Sequence, residues 1–270
     1  MPRTIVVTGA SSGVGLAAAE QFAARGDEVV LVGRDPRRLA DAVDRVRAAG
    51  GGREPGQFRA DFEVLDEVRA LAAHLLDSYE KIDVLANNAG GTVAGYRRTA
   101  DGFEATIQGN HLGPFLLTNL LRERLRGGRI VNTASDAHRR SDLDPDDLVS
   151  SPERFNTWRA YGASKAANIL FAAEAARRWQ DIFSVSFHPG VVRSNFGTGA
   201  LTRLFYRVAP FLVPPEKAGA LLVWLATAPE AELVDGSYYV GHKVQQPDAG
   251  ASDPAIASRL WEASAKAVGL

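Results

Sequence analysis

A tyrosine and a lysine stand four residues apart in the segment Trp158-Arg159-Ala160-Tyr161-Gly162-Ala163-Ser164-Lys165. Since an α-helix completes a turn in about 3.6 residues, this spacing places Tyr161 and Lys165 on one helix face. The pKa of a free tyrosine is about 10, so its phenol is a poor acid or base at neutral pH. A neighbouring ammonium group favours the phenolate and lowers that pKa. The pair can therefore act as a general acid or base, although chance also produces this spacing on many helices.

A serine stands where it can assist such proton chemistry. Ser135 follows the apolar stretch 128–133, which is predicted to be a buried strand. In open α/β sheets, ligands bind at the carboxyl ends of the strands. A hydroxyl group at that edge can hydrogen-bond a substrate carbonyl and its alkoxide. The alternative is that Ser135 only caps the turn that follows.

A second group of residues is suited to binding phosphate. The first apolar run ends in Thr8-Gly9-Ala10-Ser11-Ser12-Gly13-Val14-Gly15, and a helical pattern follows. Gly9 allows a tight turn, Gly13 allows a pyrophosphate to approach the backbone, and Gly15 allows the helix to pack closely. The free N–H groups and the helix dipole would then face the phosphates. The alternative is an ordinary glycine-rich turn, which the position directly after an N-terminal strand disfavours.

The end of the second strand bears on the choice of nucleotide. An NAD site usually places an acidic residue there for the ribose 2′-hydroxyl, but this strand ends in Gly33-Arg34. A guanidinium group suits a 2′-phosphate, so NADP(H) is favoured and NAD(H) stays open. Asp35 precedes Pro36 and is better explained as a helix cap. Asp61, which ends the third predicted strand, can accept from an adenine amino group or cap the next helix.

Alternating strands and helices would position these groups. Apolar strand candidates that suit a parallel sheet covered on both faces occur at Thr4–Thr8, Glu28–Val32, Gln57–Asp61, Ile82–Ala86, Gly128–Thr133, Phe183–His188 and Ser237–Val240. Helices are predicted near 14–25, 36–49, 63–79, 101–124, 158–179 and 215–227. This alternation predicts a doubly wound α/β sheet of about seven strands with helices on both faces. No break in composition divides residues 1–270, so a single domain is expected.

Composition excludes several other classes of function. The chain of 270 residues has no cysteine, which rules out thiolate metal sites and catalytic cysteine. Its net charge of −1 disfavours non-specific nucleic-acid binding. The five histidines show no metal-ligand spacing, so no metal is expected. No signal peptide or apolar stretch long enough to span a membrane is present, so a soluble, cytoplasmic protein is expected.

The ordered motifs together resemble the short-chain dehydrogenase/reductase family over nearly the whole chain. Besides the glycine turn and the Tyr161/Lys165 pair, the resemblance rests on Asn87-Asn88-Ala89-Gly90, Asn110, Ser135 and His188-Pro189-Gly190. The stretches 110–118, 158–165 and 225–230 look closest to its retinol-dehydrogenase-like branch. The resemblance implies a Rossmann fold and hydride transfer between a nicotinamide cofactor and a carbonyl/alcohol pair.

The resemblance also implies roles at matching positions. Tyr161 would transfer the proton, Lys165 would lower its pKa and hold the nicotinamide ribose, and Ser135 would orient the carbonyl. Asn110 would anchor a water in a proton relay. The residues implied to bind the cofactor are Gly9, Ser11, Ser12, Gly13, Val14, Gly15, Arg34, Asp61, Phe62, Asn87, Ala89, Gly90, Tyr161, Lys165, Pro189, Gly190, Val192 and Ser194. Many relatives have threonine after the Pro-Gly turn, whereas this chain has Arg193-Ser194, in which Ser194 can keep the hydroxyl group.

The remaining expectations concern the substrate class and the oligomeric state. The segment near 191–215 is rich in apolar residues and glycine, which favours a lid over a lipophilic carbonyl or alcohol; a packed helix or a subunit interface is the alternative. The branch's membrane-anchored members carry an N-terminal apolar helix that this chain lacks, so a membrane anchor and a retinoid substrate are not implied. The family forms homodimers or homotetramers, often through helices corresponding to those near 101–124 and 158–179, and monomers also occur.

Three rival functions fit less well. A Ser-His-Asp hydrolase built on Ser135, Asp136 and His138 lacks the Gly-x-Ser-x-Gly elbow. An NADP-binding sensor or scaffold without turnover is the main non-enzymatic alternative, but such relatives usually lose the Tyr/Lys pair. An epimerase or dehydratase could use the same cofactor, although the chain offers little room for a nucleotide-sugar domain.

Overall fold

The strands are apolar because helices cover both faces of the sheet. The computed structural model describes residues 2–149, 151–192 and 212–270. Its strands are β1 (Thr4–Thr8), β2 (Glu28–Gly33), β3 (Gly56–Arg59), β4 (Val84–Asn87), β5 (Arg129–Thr133), β6 (Phe183–His188), β7 (Tyr238–Val240) and β8 (Lys243–Gln245). Its helices are α1 (Gly13–Ala24), α2 (Pro36–Ala49), α3 (Leu65–Ser78), α4 (Ala105–Ile107), α5 (Gly113–Leu120), α6 (Thr157–Arg178), α7 (Pro215–Thr227) and α8 (Pro254–Val268).

All eight strands belong to one sheet in the order β3-β2-β1-β4-β5-β6-β7-β8. Every neighbouring pair is parallel except β7 and β8, which are antiparallel. The chain builds outward from β1 in one direction and from β4 in the other, so the strand order reverses between these two strands. The carboxyl ends of β1 and β4 therefore form the crevice in which ligands of doubly wound sheets bind.

The core lies in two layers because successive side chains of a strand point to opposite faces. Val6 of β1 and Leu85 of β4 pack with α3, α5, α6 and α8 on one face. Ile5 and Val7 pack with α1, α2 and α7 on the other. The predicted doubly wound α/β fold is confirmed, with eight strands where about seven were expected.

Several predicted boundaries were wrong in detail. Residues 101–124 do not form one helix: α4 leads into a π-helical segment, Gln108–Leu112, then α5 and a 3₁₀ turn, Arg122–Leu125. Strand β8 and helix α8 were not predicted from the sequence. Strand β8 is three exposed residues without an apolar pattern, so packing gives no signal for it.

Candidate active site

The turn between β1 and α1 forms a cradle suited to an anion. Gly9 and Gly13 have φ angles of +65° and +57°, in the left-handed region that favours glycine. A Cβ atom at Gly9 would lie 2.8 Å from Ala89 Cα, and one at Gly15 would lie 2.5 Å from Gly9 O, whereas one at Gly13 would meet no atom within 4 Å. Ser12 makes no side-chain cap to the first turn of α1. The first amide groups of α1 thus sit at an open surface, which fits a pyrophosphate.

Thr8 joins this turn to the end of β4. Its hydroxyl donates to Ala86 O at 3.1 Å and accepts from the backbone N–H groups of Asn88 and Ala89, both at 3.0 Å. The Asn88 side-chain amide donates to Thr8 O at 3.0 Å. These bonds fix the two strand ends that border the crevice.

Arg34 follows β2, and its exposed guanidinium group lies 3.4 Å from Glu63 Oε1. Asp35 is the N-cap of α2, because its Oδ1 accepts from the backbone N–H groups of Arg37 and Arg38 at 3.0 Å. The bond from Arg38 is the main cause that lowers the pKa of the Asp35 carboxyl. Asp35 is thus engaged as a helix cap.

Asp61 and Phe62 lie just beyond β3, which ends two residues before the predicted Asp61. The Asp61 carboxylate accepts from the N–H of Glu63 at 3.1 Å. It does not cap α3, whose N-cap residue is Val64. Phe62 is buried, and a Cβ atom at Gly113 would lie 3.0 Å from its ring.

Ser11 and Asn87, two predicted cofactor residues, differ in where their side chains lie. Gly33 brings the end of β2 to Ser11, since a Cβ atom there would lie 3.3 Å from Ser11 Oγ. The Asn87 side chain instead points into the protein, where its amide donates to Thr118 Oγ1 and Asn132 Oδ1 at 3.0 Å. Any contribution of Asn87 to a nucleotide site therefore comes from its backbone.

Asn110 lies in the π-helical segment and holds the loop that follows β4. Its side-chain amide donates to Gly91 O and to Ser164 Oγ, both at 2.9 Å, and its Oδ1 accepts from Gly91 N–H at 2.9 Å. A Cβ atom at Gly90 would lie 2.8 Å from Asn110 Oδ1. Asn110 thus links the β4 loop to α6, and π-helical turns occur often at functional sites.

Tyr161 and Lys165 are both buried on α6, one turn apart. The Lys165 ammonium lies 5.5 Å from the centre of the Tyr161 ring and donates to Thr133 O at 3.0 Å. Asn168 donates to the same carbonyl at 3.1 Å. Burial lowers the pKa of Lys165 to about 8. At neutral pH the ammonium is still charged and stands beside the phenol ring.

Ser135 follows β5 and begins the 3₁₀ turn Asp136–Arg140. Its Oγ accepts from the N–H of Ala137 at 3.2 Å, so the capping role is realised. A hydroxyl can accept and donate at once, and its O–H can still serve a substrate carbonyl. Helix α6 packs directly on this turn, since a Cβ atom at Gly162 would lie 2.6 Å from Ala137 O. Ser135 is thereby brought to the same edge as Tyr161.

The turn after β6 borders the other side of this edge. Gly190 has a φ of +86°, and a Cβ atom there would lie 2.7 Å from the Val213 side chain. Val192 forms a parallel bridge with Val213. Pro189 precedes this turn, while Ser194 and most of the predicted lid lie outside the described residues.

A polar cluster behind Ser135 was not predicted. The Asp136 carboxylate accepts from the Tyr238 hydroxyl at 2.9 Å and lies 3.6 Å from His188 Nε2. Burial lowers the pKa of His188. The cluster joins the turns after β5 and β6 to β7. His138 contacts the backbone O of Ser135 at 2.8 Å, not its hydroxyl, so no hydrolase triad forms here.

The family profile described as short chain dehydrogenase matches residues 3–202. The chain belongs to the short-chain dehydrogenase/reductase family. As an oxidoreductase of this family, it is 50% identical over 267 residues to the candidate daunorubicin C-13 ketoreductase DnrU of Streptomyces sp. (strain C5), with 99% of this chain and 93% of that protein covered. It is 36% identical over 284 residues to human retinol dehydrogenase 13, covering 99% and 85% respectively. The expected likeness to the retinol-dehydrogenase-like branch is confirmed.

Solved structures agree with this membership. A structure of an uncharacterised protein from Mycobacterium paratuberculosis matches this short-chain dehydrogenase/reductase with a TM-score of 0.80 and 30% identity, covering 99% of this chain and 93% of that one. A short-chain dehydrogenase structure from Escherichia coli CFT073 in complex with NADPH matches with a TM-score of 0.69 and 26% identity, covering 88% and 96%. A nicotinamide cofactor is therefore the group that the crevice is built to bind.

The described residues offer neither a metal site nor a membrane-spanning helix. Within residues 2–149, 151–192 and 212–270, no group of three histidine, aspartate or glutamate side chains is arranged to hold a metal ion. None of the described helices combines the length and the apolar character that crossing a bilayer requires.

Proposed function

We propose that the protein transfers a hydride reversibly between NADP(H) and the carbonyl/alcohol pair of a lipophilic small molecule, with Tyr161 as the general acid or base. The observation that carries this proposal is the buried ammonium of Lys165, 5.5 Å from the Tyr161 ring. An ammonium at that distance favours the phenolate, so the phenol can give up or take a proton near neutral pH. The glycine cradle and Arg34 support NADP(H) as the cofactor, with NAD(H) as the alternative.

Tyr161, Ser135 and Asn110 have separate roles in the proposed reaction. When bound, the nicotinamide supplies or accepts the hydride at the substrate carbon. In the reductive direction the Tyr161 hydroxyl gives its proton to the carbonyl oxygen, and in the oxidative direction the phenolate takes the alcohol proton. The Ser135 hydroxyl donates to the same oxygen and orients it. Asn110 keeps the β4 loop and α6 in register, and its predicted role is to anchor a water that returns the proton.

Aromatic side chains at the mouth of the site support a bulky, lipophilic substrate. Trp158 is exposed, and its ring stands edge-on to Tyr161 with centroids 6.3 Å apart. Tyr96 and Phe155 meet in a similar arrangement at 5.7 Å, which joins the loop after β4 to the segment before α6. Such rings contact flat apolar molecules well. The 50% identity to the candidate daunorubicin ketoreductase supports a ketone on a polycyclic aromatic compound as the first substrate class to try.

The test is turnover over a panel of lipophilic aldehydes, ketones and polycyclic aryl ketones, followed by NADPH consumption and product analysis. We expect the wild type to reduce at least one ketone. Tyr161→Phe should lower kcat by roughly 10²–10⁴-fold, because the proton donor is removed. Tyr79→Phe is the matched control: it removes a phenol hydroxyl at the C-terminal end of α3, outside the site, and should keep full activity.

Three outcomes would contradict the proposal. Full activity in Tyr161→Phe would show that this phenol is not the acid or base. NADPH binding without turnover of any substrate would favour the sensor or scaffold alternative. A changed product without net consumption of NADPH would favour the epimerase or dehydratase alternative.

A further inference from the structure

Two arginines that are far apart in the sequence share one carboxylate beside the adenosine end of the crevice. Arg34 Nη1 lies 3.4 Å from Glu63 Oε1, and Arg97 pairs with Glu63 Oε2. The Glu63 side chain is only 14% exposed, whereas those of Arg34 and Arg97 are 67% and 50% exposed. The carboxylate is thus inside and the two guanidinium groups are outside.

Glu63 is held firmly in this position. The Asp61 carboxylate accepts from its backbone N–H at 3.1 Å. Its stem lies along the π-helical segment, where a Cβ atom at Gly109 would come within 3.2 Å of Glu63 Cγ. On the other side, the backbone O of Arg97 accepts from Ala105 N–H at 2.9 Å, which ties the loop after β4 to the start of α4. The shared ion pair therefore joins two anchored parts of the chain.

The charge of this cluster exceeds what Glu63 can neutralise. Two guanidinium groups face one carboxylate, which leaves a net charge of +1 at the surface. The glycine turn Thr8–Gly15 contains no basic residue that could supply a second cation from below. A phosphate monoester carries a charge of about −1.5 to −2 at neutral pH, so one arginine alone would leave it under-compensated.

We infer that Arg97 is a second arginine for the adenosine 2′-phosphate, held beside Arg34 by the shared carboxylate of Glu63. This inference rests on the proposed function. A guanidinium group binds phosphate oxygens in pairs, and two groups that meet at one carboxylate are close enough to meet at one phosphate. The Arg34–Glu63 contact of 3.4 Å is longer than a charge-assisted hydrogen bond of about 2.8 Å, so a phosphate can displace it at little cost.

NADPH and NADH differ at the position that Arg97 would contact. NADPH has the 2′-phosphate, and NADH has a hydroxyl group at the same place. Arg97 should therefore contribute to NADPH affinity and leave NADH affinity almost unchanged. Since exposed charge pairs are screened by salt, the contribution should also fall as ionic strength rises.

The experiment measures Kd for NADPH and NADH by fluorescence titration at low and high salt. Wild type is compared with Arg97→Ala, Arg97→Lys, Arg34→Ala and the double variant. Arg126→Ala is the matched control. It removes an exposed arginine with two carboxylate partners, Glu123 and Asp181, which lie before β5 and β6 at the amino ends of the strands. We expect Arg97→Ala to weaken NADPH by about tenfold and NADH by less than about twofold.

The remaining variants complete the expectation. Arg97→Lys should keep part of the NADPH preference, the double variant should bind both cofactors about equally, and Arg126→Ala should match the wild type. Equal losses for both cofactors in Arg97→Ala, or no loss while Arg34→Ala loses its preference, would overturn this inference alone. A wild type that binds neither cofactor would overturn the proposed function together with it.

Discussion

Lys165 keeps an ammonium group in the interior of the protein, 3.0 Å from Thr133 O. The spacing to Tyr161 was evident in the sequence, since it depends only on helical periodicity. The hydrogen-bond acceptor of the Lys165 ammonium was not evident, because the packing of α6 on β5, and not residue type, decides which backbone carbonyl it meets. The same holds for Ser164, whose hydroxyl accepts from Asn110 and whose place in the network only the packed structure reveals.

Burial of Lys165 makes a prediction about stability and pH. Its pKa is about 8 in the folded protein and 10.5 in an exposed lysine. Between these values the unfolded chain binds more protons than the folded one, so stability rises with pH. Relative to Lys165→Met, the wild type should gain about 2 kcal/mol of unfolding free energy between pH 7 and pH 9.5. Urea unfolding of both proteins at the two pH values measures this; a constant difference would contradict the lowered pKa.

At the scale of elements, the positions of the first seven strands were predictable, whereas the π-helical turn that carries Asn110 was not. The strands β1 and β6 have the predicted bounds, because apolar runs bounded by polar turns mark them. Residues 101–124 have a helical pattern, but the π-helical turn within them leaves no mark on hydrophobicity. That turn aims Asn110 at the backbone of Gly91, so the element that sequence patterning describes least is the one that shapes the site.

A pair of neighbouring glycines tests how closely the β4 loop must approach Asn110. Gly90 has a φ of +152°, and a Cβ atom there would lie 2.8 Å from Asn110 Oδ1 and 3.4 Å from Lys165 Nζ. Gly90→Ala should therefore displace Asn110 and lower kcat/KM by about tenfold or more. A Cβ atom at Gly91 would meet nothing within 4 Å, so Gly91→Ala should be nearly neutral. Steady-state kinetics of both variants with one ketone measures the difference. Equal activity would show that the close approach of Gly90 to Asn110 is unimportant.

At the scale of the whole molecule, the C-terminal helix α8 completes the layer that carries Tyr161 and Lys165. Trp261 of α8 packs edge-on or tilted against Phe115, Phe171 and Trp179, with ring centroids 5.1 to 5.6 Å apart. Asp253 and Pro254 begin α8 with the same capping signal that Asp35 and Pro36 give α2, although α8 was not among the predicted helices. The helices through which the family often forms oligomers are thus partly covered by this chain, and an oligomer built on them would have to accommodate α8.

Removing that aromatic contact should destabilise the protein as a whole. Trp261 is 8% exposed, and Trp261→Ala should lower the free energy of unfolding by about 3–5 kcal/mol through the cavity it leaves. Glu262→Ala on the same helix removes only an exposed ion pair with Arg178 and should cost less than about 1 kcal/mol. Chemical denaturation of the two variants provides the comparison. Similar small losses in both would mean that α8 is not an integral part of the core.

The π-helical segment has a consequence for how this chain can change in length. A π-turn contains one residue more than an α-turn, so the helix tolerates here an insertion that has already been absorbed. Deleting one residue between Gln108 and Leu112 would remove that insertion and leave a regular α-helix, so the residues beyond it would keep their register. Phe115 would stay against Trp261 of α8, whereas the bonds from Asn110 to Gly91 would be lost. A single-residue deletion here should therefore impair the site far more than the stability of the fold.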